Sequence, residues 1–516
     1  MRTEWRALFV LLAVCLIATV AVDAVGATEN RLRVDGETVE AEVTFELTSQ
    51  EPINYWGVSL GLPDEGRVES VRDGLGEIED YETDDGSLEF RTNTGVARET
   101  ETVTVEYVVE NATVESYADG RLRVLEVSFV GFDSGTDGAT SARITAEDTV
   151  LSASPTDGFE VDVTERGALY DGEGSATVRV VVGGESDAPY DRYAVFGDAD
   201  LSEADDLYRV VPATFGFEPT AYKHPVVVLN DTRYDRIAED WSEAQHRSGG
   251  VILLRGSASD HTGAVLHETA HAYNAEALAW SDETVGWFEE GTATYVEFLA
   301  DRRRGETRRA LFTGDRVRDG ERVGPRGSVD DLLDYYDGDG FMRTWNTADG
   351  DRNRRFGYAF SELVVRSYVK ENGATALRET YDELLSTDAR STTAEETTRR
   401  ILESMDAGEE VLRPCERGSR NRTIDCLRRV NRMDATVPAY DGQARDSYRF
   451  DPSALPQDGE NGDDSGDGGA DDGDGEDESA NGGTDDGGGI LSFLRELFAG
   501  IAEFFRGLFA SVTPVC

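Results

Sequence analysis

Positions 267–271 read His-Glu-Thr-Ala-His, and after the eighteen residues from Ala272 to Glu289 comes Glu290. No other feature constrains the fold of this chain as tightly. Residues four apart on an α-helix share a face, so His267 and His271 present two imidazole nitrogens to one point while Glu268 projects beside them. The segment Gly286 to Glu297 carries small and apolar residues at helical spacing after Gly291, which places Glu290 in the first turn of a second helix. For the three side chains to meet, the two helices must pack together. Two imidazoles and a carboxylate suit zinc, which with three protein ligands keeps a fourth position for water and lowers that water's pKa towards neutrality. Glu268 then stands where a general base can take a proton as water attacks a carbonyl. The implied reaction is peptide hydrolysis, with a peptide or protein as substrate.

The stretch Gly286-Trp-Phe-Glu-Glu-Gly-Thr-Ala-Thr-Tyr-Val-Glu297 resembles the gluzincin metallopeptidases, in particular the aminopeptidase N-like and leukotriene hydrolase-like branch and its glycyl-aminopeptidase relatives. In that branch HExxH is followed, after eighteen residues, by Asn-Glu-Gly-Phe-Ala-x-Tyr-x-Glu, whose first Glu binds zinc. Glu290, Gly291, Ala293, Tyr295 and Glu297 match; Glu289 stands in place of the Asn and Thr292 in place of an aromatic. The register assigns the third ligand to Glu290, with the adjacent Glu289 as the alternative. The resemblance also implies a tyrosine that donates to the developing oxyanion and opens a Tyr-x-Lys-Gly helix roughly sixty to seventy residues past the glutamate ligand. Tyr358 falls in that window, although Phe360-Ser361 replaces Lys-Gly, and Tyr335, Tyr336 and Tyr368 lie nearby. A core role for Tyr358 is the competing reading.

Exopeptidases of the family hold the substrate's amino group with a glutamate from a strand edge upstream of HExxH, in a Gly-x-Met-Glu-Asn or Gly-Gly-Leu-Glu-His stretch. Gly249 to Arg255 is the expected strand here, with Ile252 or Leu253 where that glutamate would be. An aliphatic side chain cannot pair an ammonium. Endopeptidase action, or an exopeptidase with a different amine clamp, is therefore expected. His224, His246 and His261 are read as surface or capping residues, because three ligands are already assigned.

Composition indicates the surroundings. The formal charge of -54 comes from 104 acidic against 50 basic residues, and Lys223 and Lys370 are the only lysines. Such charge opposes compaction at ordinary ionic strength, whereas a Debye length of about 3 Å at 1 M salt removes most of the repulsion. A halophilic archaeal source is expected; the alternative is an acidic secreted protein from a moderate environment. Nucleic acid is not an expected partner, since phosphate binding needs a basic surface.

Residues 1–27 read as a signal peptide or uncleaved anchor: Arg2 and Arg6 precede the apolar run Ala7 to Val22, and small residues surround Val25-Gly-Ala27. Export fits a disulfide between Cys415 and Cys426, two buried thiols being the alternative, and fits glycosylation patterns at Asn111, Asn230 and Asn421. Residues 28–187 alternate apolar and polar positions, as expected of a β-sandwich region. Residues 188–448 are expected to form a thermolysin-like α+β zinc peptidase domain. A helix over Leu201 to Val211, strands at Pro225 to Leu229 and Val251 to Leu254, and C-terminal helices including Ala374 to Leu385 and Thr393 to Met405 belong to it. Residues 449–489 form a disordered acidic linker, and 490–516 an amphipathic helix at a membrane interface, with self-association or docking onto the enzyme as alternatives. The chain thus reads as a multidomain, exported, zinc-dependent peptidase of the extracellular cell surface, associated with the membrane. A surface adhesion or scaffold protein with a degenerate peptidase fold, and a zinc hydrolase of a non-peptide bond, are the alternatives.

Overall fold

Alternation of apolar and charged residues builds the first half of the chain into sheets. In the strand Thr38–Ile53, Val39, Ala41, Val43, Phe45 and Leu47 are buried while Glu40 and Glu46 face solvent, the two-residue period of a half-buried strand. A computed structural model describes residues 24–304 apart from 64–65, 85, 96, 132–138, 157, 240, 248, 282 and 284, then 316–318, 321–323, 351–387, 391 and 393–405. These all fall in one unit, Met1–Pro452; the second unit, Ser453–Cys516, lies outside the described residues. So do most of the segment read as leader, both cysteines of the expected disulfide, Tyr335, Tyr336, and the segments expected to form an acidic linker and a terminal helix. Among the described residues no helix is long and apolar enough to cross a membrane.

An eight-stranded sheet runs from Phe159–Thr164 at one edge, through Ala139–Ala146, Ala24–Asp35, Thr38–Ile53 and Arg98–Val109, to Gly76–Glu77 at the other. A four-stranded sheet of Thr149–Ala153, Ala176–Gly183, Leu122–Phe129 and Thr113–Tyr117 shares its core, in which Val43, Val105 and Ile144 of the first sheet meet Leu125, Val127 and Val180 of the second. Two sheets over one core make a sandwich. The first strand begins at Ala24, inside the segment read from sequence as leader, and its partner register runs from Ala24 opposite Thr48 to Asp35 opposite Thr38.

The second half opens at Ala188 with a five-stranded sheet. Its spatial order is Ala188–Pro189, Tyr193–Phe196, His224–Leu229, Ile252–Arg255 and, at the edge, Ala244–His246. The three central strands are parallel and the edge strand runs antiparallel to Ile252–Arg255. Both faces of this sheet are covered, which explains the unbroken apolar runs. On one face Val226, Ile252 and Leu254 meet Val265 of the helix His261–Ala277; on the other, Val227 and Leu253 meet Val124 and Val181 of the sandwich. Ser152 ties the two regions by donating to the carbonyl of Gly249 (2.8 Å). Gly249 and Gly250, at φ 90° and 88°, turn the chain from the edge strand into its neighbour, a left-handed conformation that favours glycine.

The segment expected as one helix over Leu201 to Val211 is two, Ser202–Leu207 and Val210–Phe215. Pro212 is the reason: it has no N–H for the carbonyl of Tyr208, so the first helix stops and a new one starts with proline in its first turn. Helices His261–Ala277 and Gly286–Arg303 pack together, and Asp351–Asn372 crosses the second of them. At that crossing a Cβ on Gly291 would lie 2.7 Å from the carbonyl oxygen of Ser361, so the helices meet where only glycine fits. Ala376–Leu385 and Ala394–Ser404 follow, the latter capped by Thr393, whose hydroxyl accepts from the Glu396 N–H (3.2 Å).

Candidate metal centre

The helix His261–Ala277 is anchored at both ends before its histidines are considered. Asp260 caps it by accepting from the Gly263 N–H (3.0 Å), a contact worth about 1 kcal/mol in typical helices. The other Asp260 oxygen pairs with Arg304 (3.0 Å), just beyond the end of Gly286–Arg303, and Arg304 also pairs with Glu203 (3.1 Å). The start of one helix is thereby tied to the end of the other. Thr269 bonds Tyr193 of the sheet (3.1 Å), and Asn274 donates to Thr292 of the second helix (3.0 Å) while accepting from Tyr381 (2.6 Å). Thr292, in place of the aromatic expected from the resemblance, is a member of this network, and the ring of Tyr381 packs against Phe288 beside it (5.4 Å between centroids).

Held this way, the helices bring His267, His271 and Glu290 together. The Nε2 atoms of both histidines approach the same Glu290 oxygen, at 3.1 and 3.3 Å, and one donor atom from each residue lies within 4.8 Å of the others. Burial opposes ionisation of Glu290, but the two imidazoles outweigh it and hold its carboxyl well below the usual carboxylate range. Burial likewise opposes a charge on His271, and Glu290 and Glu268 outweigh it, raising its pKa. Two imidazole nitrogens and a carboxylate oxygen, nearly buried and converging, are a donor set that could hold a divalent zinc. Glu297, two turns beyond Glu290, faces the other nitrogen of His267 (Nδ1 to Oε2, 3.8 Å).

Glu289 has a different task. Its carboxylate accepts from the Val285 N–H (2.7 Å), reaching back to the start of its own helix, so the two adjacent glutamates divide into a cap and a site residue. Glu268 is buried and accepts from the backbone N–H of His246 (2.7 Å). Tyr358 is half-buried on Asp351–Asn372 with its ring 6.1 Å from that of His267, and Trp241 meets it edge-on at 6.5 Å. Tyr368 is a core residue, its hydroxyl bonded to Thr380 (3.0 Å).

Three sequence expectations are corrected. His224 is neither a surface nor a capping residue: it is buried, its Nε2 bonds the Tyr208 hydroxyl (3.2 Å), and burial together with Arg192 lowers its pKa to about 3. His246 is not a surface residue either. Its ring lies 6.4 Å from that of His271, and burial, with His271 and His224, lowers its pKa to about 3. The strand Ile252–Arg255 is not the sheet edge. Ile252 and Leu253 are fully buried between neighbouring strands, so their aliphatic character reflects the core and carries no information about a substrate amine. The edge is Ala244–His246, and Gln245 and His246 stand there. His261, by contrast, lies at a helix start as expected, with Asp260 as the cap. The sequence carries no periodic signal for a three-residue strand, which is why Trp241 was not singled out and His246 was read as a surface or capping residue.

No family profile matches the sequence, and no characterised protein matches it at the sequence level. Among solved structures the chain is similar to an M1 zinc metallopeptidase from Deinococcus radiodurans, at 15% identity and a TM-score of 0.37 over 80% of this chain and 96% of that one. It is also similar to aminopeptidase A of Legionella pneumophila in complex with aspartic acid, at 14% identity and a TM-score of 0.35 over 77% of this chain and 48% of that one.

Proposed function

We propose that the chain is a zinc-dependent peptidase, exported and adapted to high salt, that acts at the cell surface. The observation that carries this reading is the convergence of His267, His271 and Glu290 on one point with Glu268 alongside. Zinc bound by those three residues would lower the pKa of a water and polarise a substrate carbonyl. Glu268 takes the proton of the attacking water and passes it towards the leaving amine. The His246 N–H holds one Glu268 oxygen in place beside the histidines. Tyr358, over His267, donates a hydrogen bond to the oxyanion that develops as the carbonyl is attacked. Export and surface attachment rest on the charged and apolar segments at 1–27 and 490–516, and salt adaptation on the charge of -54.

Two substitutions test the reading. His271→Ala is expected to lose zinc, which the unsubstituted chain should hold at about one ion per chain. Glu268→Gln is expected to keep the metal and lose turnover on a mixed peptide library in molar salt by roughly 100-fold or more. Metal analysis of purified protein and product analysis with and without a chelator check both. Stoichiometric zinc in His271→Ala, or undiminished turnover in Glu268→Gln, would reject the assignment.

A further inference from the structure

Three segments of the chain match the pattern Asn-x-Thr, and the fold treats the two described ones differently. Asn230 has a structural task. It caps the helix Asp231–Ile237 by accepting from the Arg233 N–H (3.0 Å), and Thr232 lies exposed in that helix's first turn. The other is Asn111-Ala-Thr113, in the connection from Arg98–Val109 to Thr113–Tyr117, the edge strand of the four-stranded sheet. The connection is pinned at Ala112, whose N–H donates to the Glu37 carbonyl (2.8 Å) and whose carbonyl accepts from the Glu126 N–H (2.9 Å). Asn111 itself has a φ of 59°, a left-handed conformation that asparagine tolerates, and its side chain is exposed with no hydrogen bond among the described residues. Beside it opens a cavity of about 620 Å³ whose lining includes Leu62, Pro63 and the 46% exposed Val114. A bulky group on the Asn111 amide meets open space there rather than packed chain.

Thr113 is the anomaly. Its Oγ1 is buried and has no hydrogen-bond partner among the described residues. A valine has the same shape, suits a strand and leaves no hydroxyl unmet, so the folded state gives this hydroxyl no task. We infer that its task precedes folding: Asn111 is a site of N-linked glycosylation during export, and Thr113 supplies the hydroxyl that the transfer recognises. This rests on the export part of the proposed function and extends it. The donor is a sugar carried on a lipid phosphate, and a membrane transferase supplies the catalysis. The Asn111 Nδ2 bonds to the anomeric carbon and releases one proton, while the carbon–oxygen bond to the phosphate breaks and the lipid phosphate leaves. Because the Thr113 hydroxyl is closed off in the fold, transfer comes first and the connection then folds with the sugar outside. In that position the sugar covers Val114 and the edge of Thr113–Tyr117, which otherwise offers backbone groups to another chain.

The test maps the modification directly. The full chain is expressed in a haloarchaeal host that glycosylates its own secreted proteins, recovered from the medium and cell surface, and digested with trypsin. Cleavage after Arg98 and Arg121 releases residues 99–121, which contain Asn111 and no other match to the pattern. This peptide is expected at a mass raised by whole sugar residues, with fragmentation placing them on Asn111. Thr113→Ser keeps the hydroxyl and is expected to keep the sugar. Thr113→Val is expected to lose it, and to unfold in urea at a midpoint no lower than that of Asn111→Asp, which also lacks the sugar and tolerates the left-handed backbone. An exported chain with unmodified Asn111 would overturn the inference. So would a Thr113→Val chain that still carries the sugar, or one with a clearly lower midpoint, since the hydroxyl would then serve the fold. A chain retained inside the cells overturns the export reading and the inference with it, an outcome seen by fractionation before any peptide is mapped.

Discussion

At the residue scale, two tyrosines and two histidines of similar appearance in the sequence separate by their surroundings. Tyr368 is tied into the core through Thr380, whereas Tyr358 lies against His267 and Trp241. If Tyr358 stabilises charge that exists only in the transition state, Tyr358→Phe should lower kcat about 100-fold, about 2.7 kcal/mol, with little change in KM. Steady-state kinetics on one peptide decide it, and an unchanged kcat would leave Tyr358 a packing residue. His224 supports a different prediction. Its folded pKa of about 3 lies below the ordinary 6.5, so the unfolded chain binds the extra proton. Stability from this group is therefore full above pH 6.5 and falls as pH drops from 6.5 towards 3, by about 2–3 kcal/mol at pH 4.5. Urea unfolding at pH 7 and 4.5 should show a steeper loss for the unsubstituted chain than for His224→Gln, which can bond Tyr208 without titrating.

At the element scale, the site depends on how closely three helices approach. Gly291, next to Glu290, lets Gly286–Arg303 meet Asp351–Asn372, the helix that carries Tyr358. A methyl there meets backbone at 2.7 Å, and backbone cannot rotate away as a side-chain end can. Gly291→Ala is expected to cost about 1–3 kcal/mol of unfolding free energy, as overpacking of a tight contact does. Because the helices must part, turnover should fall as well, more than zinc content. Denaturant titration, metal analysis and kinetics on the same preparation separate these effects; an alanine variant as stable as the original would show that the crossing has slack. The adjacent Glu289 belongs to this scale too, since its bond to Val285 shapes the helix start that aims Glu290.

At the scale of the whole molecule, the charge of -54 dominates. Many of the described arginines are spent on neighbouring carboxylates, as in Arg121 with Asp187 and Arg399 with Glu396, which leaves the excess of acidic groups to repel one another. Exposed pairs of this kind contribute little individually and are screened by salt, whereas long-range repulsion is screened as well and is larger in sum. The melting temperature should therefore rise as KCl is increased from 0.1 to 2 M, where the Debye length shortens from about 10 Å to below 3 Å. A melting temperature that falls over this range would mean that local pairs outweigh the net charge.

The sequence by itself determined what local periodicity can carry. Alternation in Thr38–Ile53 marks a strand because a half-buried strand exposes every second residue, and the four-residue spacing of His267 and His271 places them on one helix face because a turn is 3.6 residues. A further sheet begins at Ala188, and its unbroken apolar runs, such as Val226 to Leu229, differ from the alternation of the first half because both of its faces are covered. What only tertiary structure decided was which strand lies at an edge and which side chain meets another far along the chain. Ile252 and Leu253 read like any apolar strand, and nothing local says that Ala244–His246 covers their open side. Glu289 and Glu290 are chemically identical neighbours, and only the packing of two helices turns one towards the histidines and the other back to Val285. His224 and His246 became distinguishable from surface histidines through contacts with residues distant in sequence, Tyr208 and Tyr193 for the first and His271 for the second, and such contacts leave no periodic trace in the sequence.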